Sequence, residues 1–84
     1  MTTISYTKDA IRTLQRMPAS TAQLIRQKIR LYADEPGSLA NNVKALKGQN
    51  GCCRLRVGDW RVIFMNDGRV LAILKIAPRS SAYD

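Results

Sequence analysis

The chain has 84 residues and is 45% hydrophobic, enough for one small packed core and too apolar for a disordered tail. Fourteen Lys and Arg against six Asp and Glu give a net charge of +8, the balance of a surface that meets a polyanion. Histidine is absent and only two cysteines are present. The commonest general base is therefore missing, and a zinc site held within one chain is not expected.

The first residues, Met1 to Tyr6, lack the basic and apolar pattern of a secretory signal. Ile4 and Tyr6, two apart, predict a short strand over residues 2–6. Thr7 is a capping residue for a helix that starts near Lys8 and places Ala10, Ile11, Leu14 and Met17 on one face. Pro18 stops it. Ser20 and Gln23 have the spacing of a capping box for a second helix, with Ala22, Ile25, Ile29 and Tyr32 on its inner face. Asp34-Glu35-Pro36-Gly37 ends that helix, and so short a turn between two helices predicts a hairpin. Arg12, Arg16, Arg26, Lys28 and Arg30 decorate it as a solvated surface.

Residues 38–51 read as a connector holding Leu39, Val43 and Leu46, closed by a turn over Lys47 to Gly51. Three strand patterns follow, over residues 52–57, 60–65 and 69–76. Gly58-Asp59 and Asn66-Asp67-Gly68 separate them with strong hairpin chemistry. The longest apolar runs, Val62 to Met65 and Val70 to Leu74, are far too short to cross a bilayer. One domain over residues 1–84 is expected, in a reduced, cytoplasmic setting. Cys52 and Cys53 are neighbours in a strand and point to opposite faces, so they are poorly placed to bridge.

A two-residue turn at Gly58-Asp59 pairs Val57 with Trp60, Arg56 with Arg61 and Leu55 with Val62. A three-residue loop at Asn66 to Gly68 then pairs Met65 with Arg69 and Phe64 with Val70. It gives one wholly apolar face: Cys53, Leu55, Val57, Trp60, Val62, Phe64, Val70, Ala72, Leu74 and Ile76. A two-residue loop would put Lys75 among them. The other face carries Arg54, Arg56, Arg61, Arg69 and Lys75, interleaved with Ile63, Met65, Leu71 and Ile73. Arg56 opposite Arg61 costs roughly 0.2–1 kcal/mol in the free protein. A bound anion reverses that sign, because guanidinium groups chelate phosphate oxygens.

The order strand, helix pair, antiparallel strands, with Leu46-Lys47-Gly48 ahead of Cys53-Arg54-Leu55-Arg56-Val57-Gly58-Asp59-Trp60-Arg61-Val62-Ile63-Phe64, resembles the RelE/ParE superfamily of bacterial toxins, in particular its RelE-like branch. The ending Ile76-Ala77-Pro78-Arg79-Ser80-Ser81-Ala82-Tyr83 looks like the family's closing segment, with an arginine four residues before a tyrosine. The resemblance implies an α+β fold: an N-terminal strand and an α-helical hairpin packed on a small, mainly antiparallel β-sheet. It implies a ribosome-dependent endoribonuclease, an mRNA interferase, neutralised by a cognate antitoxin. Such an enzyme attacks the phosphate with the ribose 2′-hydroxyl and needs no metal or other cofactor. Carried over by position, Arg54 and Arg56 hold and activate the phosphate. Arg61 stabilises the charge of the transition state, and Tyr83 serves the 2′-hydroxyl. Ala77 departs from the pattern, since strongly catalytic members carry an arginine there; Arg79 or Lys75 is the candidate to stand in. Lys47, Arg69 and Lys75 are expected to add RNA contacts. The ribosome with its mRNA and the antitoxin are the implied partners, and no membrane is. The alternative within the superfamily is a ParE-like inhibitor of DNA gyrase, which shares the scaffold and generally lacks the clustered basic residues.

Overall fold

The computed structural model describes residues 3–46 and 51–80. Strand β1 covers Thr3–Tyr6, helix α1 Lys8–Arg16 and helix α2 Ala19–Asp34. A 3-10 segment, Pro36–Asn42, leads into strand β2, Val43–Ala45; β3 is Cys52–Val57, β4 Trp60–Asn66 and β5 Val70–Pro78. The strands form one sheet in the order β1-β5-β4-β3-β2. Among the described residues only β1 runs parallel to its neighbour, β5; the other pairs are antiparallel. The fold is α+β, a strand and a helix pair packed on a small, mainly antiparallel sheet, as the sequence predicts.

Thr7 does two things at the β1–α1 junction. Its Oγ1 accepts from the Ala10 N–H at 3.1 Å, which caps the helix, and donates to the Leu74 carbonyl at 2.8 Å, which ties that cap to β5. Ala10, Leu14 and Met17 are buried, while Ile11, expected beside them, is 38% exposed. The capping box at Ser20 does not form. Pro18 is the N-cap of α2, and its carbonyl already accepts from the Ala22 N–H at 3.0 Å. The helix thus begins one residue before Ser20, which lies inside its first turn. Ile25 and Ile29 are buried, and the Tyr32 ring packs on Phe64 with centroids 5.0 Å apart. Both helices contribute to one core, so they cover one face of the sheet and leave the other open.

The β3–β4 register is the expected one: Val57 with Trp60, Arg56 with Arg61, Leu55 with Val62. Gly58 has φ +58° and Asp59 does not have positive φ, which fits a turn with glycine at the first central position. The β4–β5 register is not the expected one. Phe64 pairs with Ile73 and Met65 with Ala72, and the register shifts between Ile63 and Phe64, so that Leu74 is an extra residue in β5. Leu71 and Ile73 therefore face the core, whereas Val70, at 36% exposure, and the half-buried Ala72 and Leu74 do not join it. The physical reason is size. Over residues 70–73 the inner positions are filled by Leu71 and Ile73 instead of the smaller Val70 and Ala72, and the bulge takes up Leu74. The bulge then restores Ile76 to the core and sets Lys75 opposite Ile63. The segment read as a connector contains the fifth strand, β2, which pairs with β3.

Candidate functional site

The open face of the sheet is built from two cross-strand rows. In one, Lys44, Arg54, Ile63 and Lys75 follow one another from β2 to β5. In the other, Arg56, Arg61 and Ala77 do so across β3, β4 and β5. Ile63 and Ala77, 5% and 4% exposed, form an apolar floor outside the main core. The cations stand around that floor because strand alternation gives them no other side to occupy.

At the end of the sheet next to the β3–β4 turn, the open face dips into a concavity of about 760 Å³. Lys44, Arg54, Arg56, Arg61 and Arg79 line it, against one carboxylate, that of Asp59. Asn42 and Gly58 complete the wall. Arg79 is brought in by its backbone, whose N–H donates to the Asp59 carbonyl at 2.7 Å. So the chain just beyond β5 is pinned to the β3–β4 turn, and a guanidinium reaches the concavity although the row position is Ala77.

Arg61 is the most buried of the five. It is only 8% exposed, and its Nη1 donates to the carbonyls of Gly58 and Trp60, both at 3.1 Å. Its buried Nε finds no acceptor among the described residues. Burial, then the guanidiniums of Arg54, Arg56 and Arg79, pull its pKa below the ordinary arginine value, and Asp59 pulls weakly the other way. The group remains a cation across the working pH range. It is a cation held where charge is unwelcome, and an anion entering the concavity relieves that cost.

Arg54, Arg56, Arg61 and Arg79 are thus brought together. Lys75 shares a row with Arg54 yet lines a different hollow, at the β5 edge beside Asp9 and Arg16 of α1. Arg69 is exposed in the β4–β5 connection, at the far end of a seven-residue strand, roughly 20 Å from the β3–β4 turn at ~3.3 Å per residue. It therefore stands apart from the concavity, contrary to a face shared with Arg54. Lys47 and Tyr83 lie outside the described residues. Sequence reasoning missed Lys44 and Asn42. The only signal for them was the alternation Val43-Lys44-Ala45, too short to read as a strand.

A planar phosphate chelator repeated four times around one hollow is chemistry for a nucleic-acid backbone. A family model described as the ParE toxin of type II toxin–antitoxin systems, parDE, matches residues 4–83. Among solved structures, the archaeal RelE–RelB complex from Pyrococcus horikoshii OT3 is similar at 27% identity and TM-score 0.76, over 96% of this chain and 98% of that one. The RelB–RelE antitoxin–toxin complex from Methanococcus jannaschii is similar at 22% identity and TM-score 0.75, over 95% of each chain. The isolated E. coli RelE toxin is similar at 12% identity and TM-score 0.76, over 98% of this chain and 88% of that one. The last two, at such identities, bear on the fold alone. No curated protein sequence matches the chain.

Proposed function

The chain belongs to the ParE toxin family within the RelE/ParE superfamily of type II toxin–antitoxin systems, and from that premise we propose that it is an mRNA interferase, cleaving mRNA on the ribosome through its arginine-lined concavity. The observation that carries this reading is the convergence of Arg54, Arg56, Arg61 and Arg79 on one open hollow. A protein that only bound another protein's apolar surface would have no need to hold Arg61 buried among three like charges.

In this reaction the 2′-oxygen attacks the adjacent phosphorus, the bond to the 5′-oxygen breaks, and the 2′ proton ends on that leaving oxygen. The products are a 2′,3′-cyclic phosphate and a 5′-hydroxyl. Arg54 and Arg56 hold the phosphate. Arg61, already fixed by its own turn, meets the developing charge without reorganising, which is where a preorganised donor gains most. Arg79 takes the place near the leaving oxygen that Ala77 leaves empty, and Tyr83 orients the 2′-hydroxyl. The partners are the ribosome with its mRNA, and an acidic antitoxin segment that masks the same cations in the cytoplasm. Support for the antitoxin comes from the similarity to RelE, which is solved in complex with RelB.

A second reading is favoured by the name of the matching family model: a ParE-like protein that inhibits DNA gyrase. Two assays run side by side separate them. The purified chain is added to ribosomes programmed with a defined mRNA, and to gyrase in a supercoiling reaction. Cleavage within the ribosome-bound message with gyrase unaffected is the expected result. Inhibited supercoiling with intact message overturns the interferase reading in favour of the second.

A further inference from the structure

Resting on the nuclease reading, we propose that a second, smaller hollow beside the arginine concavity is a nucleobase pocket, in which Asn41 and Asn42 read the base next to the bound phosphate. The hollow has a volume of about 200 Å³ and is lined by Asn41, Asn42, Val43, Lys44, Arg54 and Arg56. Lys44, Arg54 and Arg56 line the larger concavity too, and so form a wall common to both. A phosphate held on that wall from the larger side has its neighbouring nucleoside within reach of the smaller one.

The start of the ladder explains why two amides stand there. β2 begins at Val43, which pairs with Leu55, so Asn42 sits just before the first pair and lines the hollow together with Arg56. Asn42 is the last residue of the 3-10 segment, and the Val43 N–H closes that segment on the Ala40 carbonyl. The turn that ends the 3-10 segment therefore delivers Asn42 to the cationic face at a fixed position. Its side chain and that of Asn41 make no hydrogen bond to another described residue. Each amide keeps a donor and an acceptor for a ligand, the pattern that pairs with a base edge. A volume of about 200 Å³ takes one nucleobase. The division of labour is the usual one in nucleic-acid recognition: cations on the phosphate fix position and carry no sequence information, and the amides supply it.

The test has two arms. In the first, the isolated chain is titrated with four short RNA homopolymers of A, C, G and U. Wild type is expected to discriminate among them, and Asn42→Ala to flatten the difference by roughly tenfold. Asn42→Asp loses the donor, and is expected to shift preference away from uracil, the one base without an exocyclic amino group. Equal binding of all four by wild type, or an unchanged preference in both variants, overturns the pocket. This arm does not depend on cleavage. In the second, ribosomes carrying a randomised A-site codon are cut and the cut sites sequenced. A cleavage profile that Asn42→Ala leaves as in wild type also overturns the pocket while leaving the nuclease intact. A wild type that cuts nothing yet discriminates homopolymers in an Asn42-dependent way sinks the nuclease reading and keeps the pocket.

Discussion

Arg56 and Arg61 face each other across β3 and β4, but one is exposed and the other buried. That difference predicts opposite sensitivities. Arg56→Ala removes an exposed like charge and relieves roughly 0.2–1 kcal/mol of repulsion. It is expected to leave the urea midpoint unchanged or slightly raised while weakening RNA binding. Arg61→Met keeps the stem and drops the charge. Folding depresses the Arg61 pKa, so the folded protein is penalised for its charge at every pH below that folded value, which includes the whole working range. Removing the charge is expected to leave the melting temperature at or above that of wild type, because the burial and like-charge repulsion it relieves outweigh the two part-buried bonds to the turn carbonyls. A thermal melt well below wild type would mean that the bonds to Gly58 and Trp60 outweigh burial and repulsion. Of the site residues, the three strand arginines were legible from parity alone, because a two-residue turn fixes the β3–β4 register. Arg79 was legible only through resemblance, since its approach depends on the backbone bond to Asp59.

Elements were legible where alternation is clean and hidden where it is not. Residues 52–57 alternate, and their pairing with β4 came out as expected. Residues 70–74, Val-Leu-Ala-Ile-Leu, are apolar on both parities, so no pattern shows which face is inner, and the bulge at Leu74 cannot be read. β2 escaped because three residues are too few to show a period. The β4–β5 connection itself is held by Asp67, whose carboxylate accepts from the Arg69 N–H at 2.8 Å and the Val70 N–H at 2.7 Å. The Val70 bond first, then that from Arg69, pulls its pKa below 3.8. A carboxylate depressed by folding stabilises above its unfolded pKa, and that contribution fades as pH falls through the folded value. The window is therefore below about pH 4. Asp67→Ala is expected to lower the urea midpoint at neutral pH and to flatten its decline between roughly pH 4 and pH 2. A variant with the wild-type midpoint at pH 7 would show that the turn closes without the carboxylate.

At the scale of the molecule, the net charge of +8 and the concentration of guanidiniums at one end of the open face make binding electrostatic. A single strand that places three or four phosphates on the concavity should show log K falling with log salt at a slope of about −2 to −3. Arg56→Ala should make that slope shallower by roughly 0.7. Isothermal or fluorescence titration between roughly 50 and 200 mM salt measures it, and an affinity indifferent to salt over that range would contradict a phosphate site. No described helix is long and apolar enough to cross a membrane. The concavity is proposed to perform mRNA cleavage. Single-turnover cutting of message in the ribosomal A site by wild type and Arg61→Met tests it most directly. Wild type should cut and leave 2′,3′-cyclic phosphate ends. The folded Arg61→Met protein should be slower by on the order of 10²–10³, the usual cost of one preorganised donor to a developing oxyanion. Equal rates in the two proteins, or intact message with wild type, would contradict it.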